Sequence, residues 1–366
     1  MNAGAVVHVV VAGEVGGAER MLVDLARGSS ARRHSVALLT PSERLRALFT
    51  SAGLDVDDRG AVRESPLSYL ARSLGPRDAA WVADVMRDRG ANIAHLHTFG
   101  SQVVGTRAAQ RVGAKVVRTE HSTRVYDDPS CWPFSRWSLE RADAVVCISE
   151  HVERVALAKA PWAAKKTSVV ANGVDTAHFV PRPHARAGTV ALTAPLRFVA
   201  LGRLDPRKGL DVAFTALAQV PGAVLDVVGD GSQRATLEVL AKRLGIGERV
   251  RFVGFVDDVR ASIASADVAL SSARAEGLGI ALLEAMAMER AVVALPTGGI
   301  PEIVTDGDTG WLAHGHGPEA LARVMADAVD RRDEVLRRGA RARDTVEARF
   351  SIDVMRRGYE RVYDAL

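Results

Sequence analysis

The sequence predicts an α/β protein made of two Rossmann-like β/α/β domains of similar size, at residues 1–180 and 196–350, joined by a linker at 181–195. Three observations carry this. A length of 366 residues allows about two domains. Short apolar runs alternate with helical patterns, as in parallel βαβ units with both sheet faces covered. The alternation breaks at PRPHARAGTV (181–190), whose Pro, Gly and Arg content reads as a linker.

In the first half, strands are predicted at residues 6–11, 35–39, 93–97, 115–118, 144–148 and 167–171. Helices are predicted at 18–26, 42–52, near 79–89 and near 102–112. The second half gives strands at 197–201, 224–228, 250–253, 268–270 and 291–295. Its helices are expected at 210–219, 233–244, from about 280, and at 318–329. The tail FSIDVMRRGYERVYDAL (350–366) is amphipathic and aromatic. It fits a helix capping the second domain or one crossing back onto the first; the second is the expectation adopted for residues 351–366. In doubly wound sheets, ligands bind beyond the carboxyl ends of the strands. Two such sheets facing each other predict an interdomain cleft.

Composition excludes several classes. The chain is 48% hydrophobic and 25% charged, as in ordinary globular proteins. Net charge is +4, and the 42 arginines are spread among acids, so nothing resembles a nucleic-acid arm. The two cysteines, Cys131 and Cys147, have no partner at metal-ligand spacing, which fits a reducing compartment. The apolar start lacks a basic leader and runs into Gly16 and Gly17, a loop after a strand. No apolar run reaches the ~18–20 residues of a membrane span. The expectation is a cytoplasmic protein, with peripheral contact to the inner membrane face left open. The stretch SPLSYLARSLG (65–75) could supply an amphipathic basic segment for such contact, or a core-facing helix.

Four glycine-containing turns follow strands. AGEVGGAE (12–19) is not G-x-G-x-x-G, but Gly16 and Gly17 allow a close backbone approach to a phosphate or sugar. In GRLDPRKG (202–209), Arg203 and Lys208 lie at a strand-end loop, where two cations suit a diphosphate. VGDGSQR (228–234) places Gly229 at another strand end. In AEGLGIALLEAMA (275–287), Gly277 and Gly279 precede a helix whose N-terminus favours a phosphate. Each also fits a plain turn or surface charge. Glu276 would lie beside that phosphate. Glu284 has Ile280, Ala281, Ala287 and Met288 as helical neighbours, so it is costly unless hydrogen-bonded, for example by a ribose diol. It also fits a partly exposed helix carboxylate.

Taken in order, GGAE (16–19), GRLDPRKG (202–209), GDGSQR (229–234), VRFVGFV (250–256), EGLGIALLE (276–284) and GGIPEIV (298–304) resemble the retaining nucleotide-sugar glycosyltransferases of family 4, which have the GT-B fold. The stretch NGVDTAHF (172–179) and the helical tail match as well, so the resemblance covers nearly the whole chain. It implies that Arg203 and Lys208 bind the donor diphosphate and stabilise it as it leaves. Glu276 would hold hydroxyls of the transferred sugar and Glu284 the ribose. The backbone from Gly279 through Ile280 and Ala281 to Leu282 would contact phosphates. Phe255 and Val256 would border the base, and Gly229 would approach the donor. Gly16 and Gly17 would form a loop against diphosphate and acceptor. His121, in TEHST (119–123), matches the family's active-site histidine, although alone it would read as structural. Arg124 and Trp132 are acceptor-side candidates that serve equally well in packing.

The implied reaction moves a hexosyl unit from a nucleotide-diphosphate sugar, with a UDP-sugar favoured and a GDP-sugar also open. The acceptor would be a hydroxyl of a saccharide, a natural product or a lipid-linked glycan. Negative charge grows on the leaving diphosphate, so donors aimed at it should be the main catalytic term. No carboxylate pair for double displacement stands out. The resemblance implies retention by same-face attack, with the leaving phosphate taking the acceptor's proton. No cofactor and no metal are expected, although Asp127 and Asp128 could be mistaken for a metal motif. The alternatives are a catalytically silent nucleotide-sugar-binding protein and a Rossmann dehydrogenase lacking its fingerprint.

Overall fold

A computed structural model describes residues 4–11, 15–27, 31–40, 42–60, 71–181 and 194–366. The chain forms two compact units: Met1–Asn172 with Ile352–Leu366, and Gly173–Ser351. Nearly all of the 181–195 stretch and most of the 65–75 segment lie outside the described residues.

The first unit holds a parallel sheet of β1 (Ala5–Val10), β2 (Arg33–Leu38), β3 (Asp55–Asp58), β4 (Ala91–Leu96), β5 (Lys115–Glu120), β6 (Ala144–Cys147) and β7 (Thr167–Val169). Their order is β3-β2-β1-β4-β5-β6-β7. The second holds β8 (Leu196–Leu201), β9 (Ala223–Val228), β10 (Val250–Gly254), β11 (Val268–Ser271), β12 (Ala291–Ala294) and β13 (Gly310–Leu312), ordered β10-β9-β8-β11-β12-β13. Strand order reverses between β1 and β4 and between β8 and β11. At these points consecutive crossovers leave toward opposite faces, and the loops between them part.

The central strands read as near-continuous Val, Ile, Leu and Ala because helices cover both faces. Ser42 and Ser149 cap their helices by accepting from Leu45 and Val152 N–H groups. Two strands escaped the sequence reading, β3 (DVDD) and β13 (GWL). Both are sheet edges, where apolar burial on two faces is not demanded. The helix Arg332–Arg349 was also missed. Its inner stripe is Val335, Arg338, Gly339, Ala342 and Val346, so small and charged residues hide the helical period. Gly339 sits so close to the backbone carbonyl of Glu289 that a Cβ would lie 2.2 Å from its oxygen.

The C-terminal helix Ile352–Asp364 belongs to the first unit. Its Met355, Tyr359 and Tyr363 join Val6, Met21, Leu25, Ile93, Val117, Val146 and Val170 in one buried cluster. Arg32 ties the same helix down through Glu360 at 3.3 Å and through Asp364.

Candidate active site

In the second unit, the loops after β8 and β11 meet where the strand order reverses. Asp205 accepts from Arg207 N–H at 2.9 Å and folds the tight turn Pro206–Lys208. The two loops are then stitched together. Arg274 N–H donates to Arg207 O at 2.7 Å, and Ser272 Oγ donates to Lys208 O at 3.0 Å. Across this seam Lys208 Nζ donates to Glu276 Oε2 at 2.8 Å, with the two side chains 32% and 20% exposed. The pair borders a pocket of about 430 Å³, measured with its open mouth, that Leu201, Ser272, Gly279 and Leu282 also line.

Gly279, at φ 104°, precedes the helix Ile280–Ala287 without a side-chain cap. Leu282 and Leu283 N–H groups bond to Gly279 O. Among the described residues no backbone acceptor engages the Ile280 and Ala281 N–H groups, which remain for a ligand, whereas the Leu282 N–H is already committed. The GGIPEIV stretch has a role beside Glu276 that its sequence did not disclose. Gly298 adopts φ 61°, and a Cβ there would lie 1.8 Å from Glu276 O. The adjoining Gly299 N–H donates to that same oxygen at 3.2 Å. This turn seats the loop that carries Glu276.

The remaining second-unit candidates lie around that centre. Gly229 N–H donates to Gly254 O at 2.8 Å. A Cβ on Gly229 would fall 2.0 Å from Gly202 O, so its glycine lets the β8 and β9 loops touch. Leu204 N–H, bonded to Asp230 O at 2.9 Å, completes the link. Arg203 is exposed, as is Phe255 at 65%, while Val256 and Glu284 are half-buried.

In the first unit, Gly16 N–H donates to Glu19 Oε2 at 2.9 Å, capping the helix Gly17–Ala26. That donor is therefore occupied. His121 follows β5 directly and is half-buried; burial lowers its pKa to about 4. Arg124 is exposed, and Trp132 packs on Tyr126 with ring centroids 5.9 Å apart, beneath Lys159 Nζ. Asp128 binds its own turn, accepting from Ser130 Oγ and N–H at 2.6 and 2.9 Å.

Sequence reading missed four further histidines, His8, His34, His95 and His97, grouped beside His121. His8, His95 and His97 each bring one nitrogen within 4.8 Å of the others. The only signal was H-x-H at 95–97, placing two imidazoles on one strand face.

The chain is similar to known proteins along its length. Residues 183–345 match the family described as Glycosyl transferases group 1, and residues 15–178 match Glycosyltransferase Family 4. A GDP-mannose-dependent alpha-(1-6)-phosphatidylinositol monomannoside mannosyltransferase of Mycobacterium tuberculosis is 34% identical over 273 residues, 69% of this chain and 70% of that one. The N-acetyl-alpha-D-glucosaminyl L-malate synthase of Bacillus anthracis is 29% identical over 300 residues, 78% and 77% of the two chains. Among solved structures, Anabaena HepE in complex with UDP and glucose superposes with a TM-score of 0.82 at 22% identity, covering 99% of both chains. The chain thus belongs to the group 1, family 4 glycosyltransferases of GT-B fold, enzymes that transfer a glycosyl unit from a nucleotide sugar.

Proposed function

We propose that this enzyme is a retaining, metal-independent hexosyltransferase acting on an acceptor hydroxyl of a saccharide, a natural product or a lipid-linked glycan. The observation that carries the reading is the Lys208–Glu276 pair beside the Gly279 helix start, at the reversal of strand order. A nucleotide diphosphate seated there would meet the free N–H groups of Ile280 and Ala281 and the cations of Lys208 and Arg203. Glu276, held by Lys208, would receive sugar hydroxyls, and Glu284 the ribose diol. Gly229, Phe255 and Val256 would flank the nucleotide. From the first unit, Gly16, Gly17 and His121 would face sugar and acceptor, with Arg124 and Trp132 on the acceptor side.

As the anomeric C–O bond breaks, its electron pair goes to the diphosphate oxygen. Lys208 and Arg203 offset the charge that grows there. The acceptor oxygen bonds to the anomeric carbon from the same face, and its proton passes to the departing phosphate oxygen. No step requires a metal ion. GDP-mannose is the first donor to test, because the mycobacterial relative is named for it. UDP-glucose is the second, because HepE has been solved with it.

Among the described residues no helix is long and apolar enough to cross a membrane. We propose a cytoplasmic reaction, with peripheral contact to the inner membrane face where the acceptor is lipid-linked. A thermal-shift screen of GDP- and UDP-sugars, followed by transfer assays, tests the reading. Stabilisation by one donor and its loss in Arg203→Ala are expected. Donor turnover unchanged in Arg203→Ala would remove that residue from the mechanism.

A further inference from the structure

Cross-strand register gathers the histidines of the first unit on one sheet face. Val6 pairs with His34 and His8 with His95; His97 follows β4 and His121 follows β5. Four of them form a line. His34 Nδ1 lies 2.8 Å from His8 Nε2, His8 Nδ1 lies 2.8 Å from His97 Nε2, and His97 Nδ1 lies 3.4 Å from His121 Nε2. His95 stands beside this line, with Nδ1 2.7 Å from Tyr363 OH and Nε2 2.8 Å from Thr119 Oγ1.

Every link joins an Nδ1 to an Nε2. Burial lowers the pKa of all four rings, so each is neutral near pH 7. A neutral imidazole carries one N–H and one bare nitrogen. Three consecutive bonds are then satisfied in only two ways: all four rings Nδ1–H, or all four Nε2–H. The far end decides between them. His34 Nε2 is buried and has no hydrogen-bond partner among the described residues. The Nε2–H state would orphan a buried donor there, whereas the Nδ1–H state leaves only a bare acceptor. Orphaned buried donors are the rarer vacancy in folded proteins.

We propose that His34, His8, His97 and His121 form one neutral hydrogen-bonded chain in the all-Nδ1–H state, which obliges His121 to present an N–H donor to its ligand. His97, His8 and His34 are then positioning residues that fix the tautomer of His121. The ligand atom it serves is an acceptor, a hydroxyl or phosphate oxygen; this last step rests on the reading of His121 as facing the donor sugar. Reversing the chain requires one proton lost at His121 Nδ1 and one gained at His34 Nε2. A metal ion on His8, His95 and His97 is incompatible with the chain, because it would need the nitrogens already engaged in these bonds.

Long-range proton–nitrogen NMR of the full chain, with ¹⁵N-labelled histidine at pH 7.5, reads each tautomer directly. The expected spectrum shows Nδ1 protonated and Nε2 bare on all four rings. An Nε2–H or a cationic ring among them overturns the chain, as does stoichiometric uptake of added Zn(II) with loss of the His8 Nδ1 proton. His97→Phe should release His121 into a mixture of tautomers. His97→Gln, whose amide both accepts and donates, should restore Nδ1–H; it is also the variant to use if the phenylalanine protein does not fold. An unchanged His121 in His97→Phe, or a mixture in His97→Gln, refutes the positioning role. Adding GDP-mannose or UDP-glucose then separates the two claims. A shift of the His121 Nδ1 proton supports its role toward the donor. No shift, with the chain intact, removes that role alone.

Discussion

Replacing Lys208 with Met separates a structural ion pair from a catalytic one by magnitude. The pair it breaks is 2.8 Å long but partly solvated, with 32% and 20% of the two side chains exposed. Pairs of that kind contribute about 0.2–1 kcal/mol to stability. For a unit of this size, such a loss lowers Tm by no more than about 4 °C. If Lys208 stabilises charge growing on the leaving diphosphate, its removal costs ~3–4 kcal/mol in the transition state, about 10²–10³ in kcat. The expected result is therefore a large kinetic loss with little thermal loss. Calorimetry gives Tm, and nucleoside diphosphate release at saturating donor gives kcat. Glu276→Gln, which keeps shape and removes charge, should likewise spare Tm. A kcat within threefold of the parent, or a Tm drop beyond about 8 °C, would refute the reasoning.

Gly298→Ala places a Cβ 1.8 Å from Glu276 O at φ 61°, so activity should fall with loop displacement. Gly245→Ala is its control: at φ 68° with no neighbour within 4 Å, it should cost only the left-handed penalty, about 1–2 kcal/mol, in urea melts. Ending the chain at Ser351 removes the buried Met355, Tyr359 and Tyr363 from the first unit. At about 1.5–3 kcal/mol per large side chain, that unit should fail to fold, read as lost near-UV circular dichroism. Burial depresses His34 and His121 from 6.5 to about 4, so the unfolded chain binds protons first as pH falls. Stability should be full above about pH 6.5 and drain toward pH 4. Urea midpoints between pH 7 and 5 that do not fall would contradict this.

Much of this was legible because parallel strands buried on both faces leave an unmistakable apolar run, as in AVVHVV and AVLDVV. The edge strand DVDD has no such obligation, and the helix Arg332–Arg349 turns Gly339 and Ala342 inward instead of large apolar groups. The loops of the second unit were legible for a local reason. Each glycine, cation and acid sits within a few residues of its strand end, so sequence order nearly equals spatial order. What those glycines do was less visible: Gly229 and Gly298 serve the carbonyls of Gly202 and Glu276, in other loops. The histidine chain was hidden entirely, since His34, His8 and His97 meet only because β1 lies between β2 and β4.

That chain also bears on what its residues are for. A buried polar network replaced as a whole by apolar groups of similar shape can be neutral or even stabilising, whereas removing one member strands its partners. His8, His95 and His97 are buried on one sheet face, where His8 is flanked by Val36 and His95, and His95 by His8 and Val117. If stability were their purpose, His34→Leu, His8→Leu and His97→Leu together should cost more than the worst single change. The physics of desolvation gives the reverse order. His8→Leu alone strands His34 Nδ1 and His97 Nε2, and His97→Leu alone strands His8 Nδ1 and His121 Nε2, so each should destabilise more than the triple change. The triple variant strands only His121 Nε2, which lies at the half-buried end of the chain. A triple variant at least as stable as His8→Leu, yet with His121 free to take either tautomer, would locate the value of the chain in what it does to His121.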